Sequence, residues 1–285
     1  WQKTIDQNYG IDLAFLNNRL KVTVDYFYKN TDPLLVYVQT PTSTGTSTVP
    51  MNLGKQVSQG LTATLNYMIL QRENMSWNFN FNARHITYEY RNIGTALDKF
   101  NQENRSSNLV RYYDGGSPSD LWAVRSAGID PASGQEVYIK KNGNYTFAYD
   151  KNERVEVGNT NPMLEGSLFT SLSYGGFTLN VTAAYKFGGD IYNTTLANKV
   201  ECIDPYGNVD RRAFTERWKK PGDLVRFLGI PENVSDENRY SERFVERDNT
   251  FAITSIMLNY EFKPGYLRKI GIKRLNLGIG VADIA

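Results

Sequence analysis

Residues 77–84 read Trp77-Asn78-Phe79-Asn80-Phe81-Asn82-Ala83-Arg84. Every second side chain is apolar, and each one between is an amide or a cation. Side chains alternate between the two faces of a strand, so this stretch is a strand with one greasy face and one polar face. Residues 177–187 repeat the pattern: Phe177, Leu179, Val181, Ala183, Tyr185 and Phe187 alternate with Thr178, Asn180, Thr182, Ala184 and Lys186. Leu61, Ala63, Leu65, Tyr67 and Ile69 are set against Thr62, Thr64, Asn66 and Met68, and Leu20, Val22, Val24, Tyr26 and Tyr28 against Lys21, Thr23 and Asp25. Four more stretches alternate in the same way, around Tyr9–Phe15, Leu168–Tyr174, Ile256–Phe262 and Leu275–Val281. The reading is all-β, with eight strands.

The connections fall into two classes. Asn17-Asn18, Arg72–Asn74, Gly175-Gly176 and Pro264-Gly265 predict tight turns, because Asn and Gly tolerate the positive φ that short hairpins need. Residues 31–56, 92–160 and 189–248 predict long, structureless loops. Short and long alternate along the chain, which puts the turns at one edge of an up-and-down antiparallel sheet and the loops at the other. Outer-membrane barrels have this asymmetry, with short periplasmic turns and long extracellular loops. The rings of the apolar face cluster at strand ends. Phe15, Tyr67, Trp77, Tyr174, Phe177, Tyr260 and Phe262 lie toward the turns, and Tyr9, Tyr26, Tyr28, Tyr185 and Phe187 toward the loops. Two girdles of this kind mark two membrane interfaces. A soluble β-sandwich, whose buried face would also be apolar, stays open as the alternative.

Composition narrows the function. The 285 residues carry 32 Lys+Arg against 30 Asp+Glu, without the basic excess of a nucleic-acid binder. One cysteine, Cys202, and one histidine, His85, exclude a disulfide framework and a His/Cys metal site. No apolar run approaches the roughly 20 residues of a membrane helix. The mean hydropathy of −0.48 does not argue against a barrel, because alternation averages to a polar value. The sequence carries no nucleophile motif, phosphate loop or paired-carboxylate spacing, so no catalytic residue is expected. His85 reads as a surface histidine near an interface and Cys202 as an incidental loop thiol. The segments Asp130–Gly134 (DPASG) and Asp204–Asn208 (DPYGN) could hold Ca²⁺ but lack the ligand spacing of an EF-hand loop, so they read as turns and no cofactor is expected.

On the polar face Asn78, Asn80, Asn82, Arg84, Asn180 and Lys186 are the candidates for lumen lining or substrate contact. Charge or amide turned toward lipid would be costly. In the loops Tyr112, Tyr113, Trp122, Trp218 and Tyr240 are candidates for contact with a partner or for loop packing.

Five stretches carry a family resemblance: YGIDLAFLNNRLKVTVDYFYKNTDPLL (Tyr9–Leu35), GIDPASGQEVYI (Gly128–Ile139), VGNTNPMLEGSLFTSLSYGGFTLNVTAAYKFGGDIYN (Val157–Asn193), ERWKKPGD (Glu216–Asp223) and SERFVERDNTFAITSIMLNYEF (Ser241–Phe262). In order and spacing they resemble the C-terminal portion of the SusC/RagA family of TonB-dependent outer-membrane transporters. Ser58-Gln59-Gly60-Leu61 departs from the family's N-G-E at that strand. The resemblance implies that residues 1–285 are a partial C-terminal barrel domain, about eight strands of a 22-stranded barrel, with plug, signal peptide and last strand outside this sequence. It implies no covalent chemistry. It also implies outer-membrane lipid around the wall, TonB acting through the plug, a SusD-like surface lipoprotein at the mouth, and an oligosaccharide or peptide as cargo. Eight strands of so wide a barrel cannot close on themselves, and unpaired edges in lipid cost several kcal/mol per group, so the remaining barrel is an obligate partner. A passive porin or structural barrel, or a soluble β-sandwich carbohydrate-binding protein, is the other reading.

Overall fold

The structure is a computed structural model. It describes residues 1–39, 45–46, 48–95, 97–98, 101, 111–203, 208–229, 240–262, 265 and 271–284. Eight strands form one antiparallel sheet in chain order: β1 (Thr4–Phe15), β2 (Leu20–Thr31), β3 (Lys55–Arg72), β4 (Met75–Arg91), β5 (Leu164–Tyr174), β6 (Phe177–Tyr192), β7 (Val245–Glu261) and β8 (Asn276–Ala282). These are the eight expected strands, each pairing with its neighbour in sequence. β1 and β8 are the outer strands of the sheet.

The register carries the alternation across strands. Leu13, Val22, Leu65, Phe81, Leu168 and Ala183 stand opposite one another in a continuous apolar row. Thr23, Thr64, Asn82, Ser167 and Ala184 form the row one residue along, on the other face. The apolar face is exposed over much of its extent, with Ile11 at 63%, Leu277 at 58% and Ile279 at 72%. Among the described residues no second sheet packs over it, which removes the β-sandwich alternative. Among the described residues two buried apolar clusters lie instead in the long connections and the strand ends beside them.

Three bulges interrupt the expected period. Register slips between Met68 and Leu70, so Leu70 rather than Ile69 stands opposite Trp77. It slips again on the β6–β7 pairing, between Thr182 and Ala183 and between Lys186 and Gly189. A bulge inserts one unpaired residue and shifts the parity of the residues beyond it.

The turns match their chemistry with two differences. Gly175 (φ 59°) and Gly176 (φ 100°) make the two-residue turn between Tyr174 and Phe177. The first turn is wider than the expected two residues. Leu16, Asn17 and Asn18 all take positive φ, and Arg19 N–H donates to Leu16 O at 3.2 Å. The last connection is not tight: residues 262–275 separate β7 from β8. Pro264 of the expected turn lies outside the described residues.

The long connections are not structureless, which corrects the expectation. Residues 32–54 hold a hairpin of Leu35–Gln39 with Thr48–Asn52. Residues 92–163 hold a pair, Asp120–Ala123 with Val155–Asn159, and a small sheet of Arg125–Ile129, Glu136–Ile139 and Tyr145–Thr146. Residues 193–244 hold a helical turn over Leu196–Glu201 and a short helix, Arg212–Thr215. Leu121, Tyr192, Leu196, Val200, Phe227 and Phe244 bury a core where these connections meet. The loops thus build a cap with an interior of its own.

The aromatic rows sit at the strand ends as expected. At the turn edge Phe177 and Tyr260 pack at 4.4 Å, and Trp77 Nε1–H donates to Thr170 Oγ1 at 2.8 Å. Tyr185 differs: it is buried, not on an open girdle. Its ring stacks on Phe81 at 5.8 Å and its hydroxyl donates to Asn82 O at 2.9 Å. Gly166 permits this, since a Cβ there would lie 2.0 Å from Asn82 O and 2.7 Å from the Tyr185 hydroxyl. His85 is exposed and its Nδ1–H donates to Met163 O at 2.7 Å.

Candidate functional site

The polar face of β3–β7 lines a concavity of about 760 Å³. Charges of alternating sign cross it. Arg84 on β4 faces Glu165 on β5, with Nη2–Oε1 at 2.7 Å and Nε–Oε1 at 2.9 Å. Glu165 stands opposite Lys186 on β6, and Lys186 Nζ meets Asp248 Oδ2 on β7 at 2.6 Å. These pairs are solvated, so each contributes under about 1 kcal/mol. Their effect is to fix a polar lining and leave no charge isolated.

The amides are ordered too. Asn80 Nδ2–H donates to Asn66 Oδ1. Asn82 Nδ2–H donates to Ser167 Oγ at 2.6 Å, and its Oδ1 accepts from Ser167 N–H at 3.2 Å. Asn78 stands opposite Ser171, and Asn180 stands between Ser171 and Met257. All six expected lining residues therefore share one face, and Asn82, Arg84 and Lys186 meet at the concavity. The sequence reading missed the acidic half of the ladder. Glu165 holds the polar parity of β5 and was legible there, whereas a bulge separates Asp248 from the rest of the β7 alternation.

The cap is tied by two buried arginines. Arg243 Nη2 reaches Glu136 Oε2 at 2.9 Å and Glu201 Oε1 at 2.8 Å, and Ser241 Oγ–H donates to Glu136. Burial pushes both carboxyls up. At Glu136 the bonds from Arg243 and Ser241 outweigh it and hold the carboxyl below its ordinary value. At Glu201 burial prevails, Arg243 offsets only part of it, and the charge of Glu136 adds to the rise. Arg217, 2% exposed, spends its guanidinium on backbone carbonyls. Nε–H donates to Ala213 O at 3.0 Å, Nη1 to Leu228 O at 3.0 Å and Gly229 O at 3.2 Å, and Nη2 to Val200 O at 2.5 Å and Glu201 O at 2.7 Å.

The five loop aromatics are all engaged in the cap. Tyr112 packs on Tyr90 at 5.1 Å, and its backbone is held by Asn101, whose Oδ1 accepts Tyr112 N–H at 3.0 Å. Tyr113 and Trp122 are brought together edge to face at 5.1 Å. Tyr113 O–H donates between Asp120 (2.9 Å) and Glu156 (3.1 Å). Burial first, and then these carboxylates, push the Tyr113 phenol up. Trp218 Nε1–H donates to Pro131 O at 2.9 Å, and its ring covers Gly134 (φ +69°), where a Cβ would lie 2.3 Å from the indole. Tyr240 packs on Tyr192 at 5.4 Å and carries Arg154 over its ring at 4.8 Å. The DPASG segment is a turn whose Asp130 carboxylate accepts from Ser133 N–H at 3.0 Å and from Ser133 Oγ–H at 2.5 Å. Of DPYGN, residues 204–207 lie outside the described residues. Cys202 is exposed and in no disulfide.

The comparisons with known proteins agree with this architecture. The family described as "TonB dependent receptor-like, beta-barrel" matches residues 1–281. TonB-dependent receptor P39 of Formosa agariphila is 25% identical over 334 residues, covering 100% of this chain and 32% of its own length. TonB-dependent receptor SusC of Bacteroides thetaiotaomicron is 22% identical over 278 residues, covering 92% of this chain and 26% of its own. The structure of the RagAB peptide importer in its closed-closed state superimposes with a TM-score of 0.81 at 18% identity, over 100% of this chain and 32% of that one. The chain thus spans about a third or less of the length of these relatives. The family works in the outer membrane, in transport rather than catalysis. This chain belongs to the TonB-dependent receptor-like β-barrel family, as a SusC/RagA-type barrel portion.

Proposed function

We propose that residues 1–285 form about eight strands of a 22-stranded barrel in a transporter that imports an oligomeric nutrient, glycan or peptide, across the outer membrane. In this reading the exposed apolar face meets lipid, and the polar face carrying Asn78, Asn80, Asn82, Arg84, Asn180 and Lys186 lines the lumen beside the plug. The tight turns are periplasmic and the cap is extracellular. There Tyr112, Tyr113, Trp122, Trp218 and Tyr240 stiffen the surface that receives a SusD-like lipoprotein, and TonB drives import through the plug. The observation that carries the reading is the pairing of one exposed apolar sheet face with one hydrogen-bonded polar face in a family of outer-membrane receptors.

Two results test the wall and its orientation. Leu65→Arg turns a cation toward lipid in the middle of the apolar row and is expected to cost about 2–4 kcal/mol of folding stability in bilayers. Thr64→Arg, one residue away on the polar face, is expected to cost under about 1 kcal/mol, because a lumen-facing cation stays solvated. Equal losses in a lipid-vesicle folding assay would reject the face assignment. For orientation, Cys202→Ser is made first. Leu224→Cys, 87% exposed in the cap, should then label in whole cells with a membrane-impermeant maleimide. Asn17→Cys, in the first tight turn, should label only after lysis; the reverse pattern inverts the topology. Uptake of radiolabelled oligomers that stops when TonB is deleted separates an active transporter from a passive porin.

A further inference from the structure

A cavity of about 270 Å³ opens at the rim of the apolar face, where β4 runs on past the start of β5. His85 and Thr87 line it from β4, on the parity of Trp77 and Phe81, and both are exposed. Met163, 68% exposed, lines it from the residue before β5. The register fixes its level. Tyr9, Tyr26, Leu61 and His85 stand opposite one another in one row, and Leu164 beside Met163 stands opposite Phe187. That row is the loop-side girdle of rings, so the cavity sits at the height where a barrel meets lipid headgroups. Its polar groups have bonding capacity to spare. Met163 O can only accept, so the hydrogen of its 2.7 Å bond to His85 belongs to Nδ1. In the neutral ring Nε2 is then an acceptor, with no partner among the described residues. Asn161 spends its Nδ2–H on Ile86 O and keeps Oδ1 to accept. Tyr88 lies between Ile86, whose carbonyl meets Asn161, and Tyr90, whose N–H donates to Gly116 O at 2.7 Å. The two-residue alternation turns Tyr88 N–H and C=O the same way, and the β5 pairing has already ended at Arg84. No carboxylate, Lys or Arg is among the described lining residues.

We propose that this cavity holds one uncharged sugar ring of a glycolipid headgroup from the outer leaflet. A sugar hydroxyl both donates and accepts. It suits a site that offers acceptors at His85 Nε2, Asn161 Oδ1 and Tyr88 O, and a donor at Tyr88 N–H. A phosphate, carboxylate or ammonium group would leave water here without a fixed counter-charge, which is costly. Pro162 and Met163 give the ring's C–H face an apolar contact. The volume lies below the roughly 300–1,000 Å³ of pockets for drug-sized ligands and suits a single ring. Position decides the source. The cavity opens on the exposed apolar face, whereas cargo would pass along the polar face on the other side of the sheet. A lipid seated here lays its chains along the apolar rows that contain Phe81 and Leu168. This inference rests on the outer-membrane barrel reading and adds a lipid ligand to its wall.

The test uses the full-length transporter in lauryldimethylamine oxide, a detergent without sugar, and titration read by native mass spectrometry. The probes are glucosyl-dioleoylglycerol, dioleoylphosphatidylethanolamine and methyl glucoside. The glucosyl lipid is expected to bind about tenfold more tightly than either other probe. His85→Phe keeps a ring at the rim but removes the acceptor. It should weaken the glucosyl lipid about fivefold, the worth of one hydrogen bond, and leave phosphatidylethanolamine unchanged. His85→Gln, whose amide can donate to Met163 O and accept from a hydroxyl, should recover most of that loss. Met163→Trp, at an exposed position, fills the mouth and should weaken the glucosyl lipid about tenfold. Equal or tighter binding of phosphatidylethanolamine, capture of methyl glucoside as tightly as the glycolipid, absence of binding, or unchanged affinity in both His85→Phe and Met163→Trp overturns the site. The Leu65→Arg and Thr64→Arg pair reads the wall separately. Unequal losses there without glycolipid preference reject this site alone, whereas glycolipid preference with equal losses rejects the face assignment alone.

Discussion

Arg217→Ala is expected to unfold the cap locally while leaving the eight-stranded sheet intact. The guanidinium serves five carbonyls from three segments, the Leu196–Glu201 turn, the Arg212–Thr215 helix and the stretch at Leu228-Gly229. Five donors in a fixed fork can satisfy carbonyls that point from three directions, and no other side chain has that inventory. Alanine would leave buried acceptors unpaired at about 1–3 kcal/mol each. Even if two of them found water, the loss is about 4 kcal/mol, close to a thousand-fold in a local opening constant. Hydrogen exchange across residues 196–229 in the full-length protein reads this directly. Arg217→Lys should recover less than half, because three donors leave one point and cannot span the fork. Protection in Arg217→Ala within tenfold of the parent would show that these contacts do not hold the cap.

The second large effect separates two glutamates bonded to one arginine. Arg243 is buried between Glu136 and Glu201, and Arg217 is a second cation acting on Glu201, in a place where charge is costly. The depressed Glu136 carboxyl is ionised in the fold. Its contribution is present above the ordinary carboxylate range and is lost as pH falls through its lower folded value. The raised Glu201 carboxyl runs the other way. Ionising it costs stability, and that cost grows as pH rises through its folded value. Glu136→Gln should therefore destabilise the cap by about 1.5–3 kcal/mol at neutral pH, the loss of the charged hydrogen bonds from Arg243 and Ser241, with Glu201 left as the acid beside Arg243. Glu201→Gln should cost less than about 1 kcal/mol, since Arg243 keeps its charge partner and the crowding of two acids is relieved. Exchange protection at Val124 and Ser241, where the Val124 N–H···Tyr240 O bond of 2.9 Å joins two connections, reports the difference. Equal losses for the two variants would mean that the acids share the charge evenly.

The sheet was legible because its evidence is local. Phe81 and Asn82 differ in chemistry, neighbours in a strand must face opposite ways, and repetition over eight segments leaves little choice of architecture. Gly175-Gly176 announced its turn for an equally local reason. Bulges escaped, because an extra residue such as Ile69 is chosen by the partner strand rather than by its own neighbours. Tyr185 escaped because the space that lets it lie down belongs to Gly166 on another strand.

The cap marks the limit of sequence reading most clearly. Its elements are short, the Arg212–Thr215 helix being four residues, and too brief to show a period. Its hubs join residues far apart in the chain, as Glu136 meets Arg243 across a separation of 107. Glu136, Glu201, Arg217 and Arg243 look like ordinary surface charges until the fold encloses them. Tyr113 and Trp122 were recognised as candidates by type alone; that they share a corner with Arg111 and Arg154 is a fact of three dimensions.

The sequence by itself determined an antiparallel sheet of eight strands, which of its residues share a face, and which edge carries the long connections. Those properties are set by neighbours one and two residues apart. Only the tertiary structure decided that the long connections fold into a cap and which charges are buried in it. Those depend on side chains meeting across a hundred residues, and no local pattern encodes such a meeting.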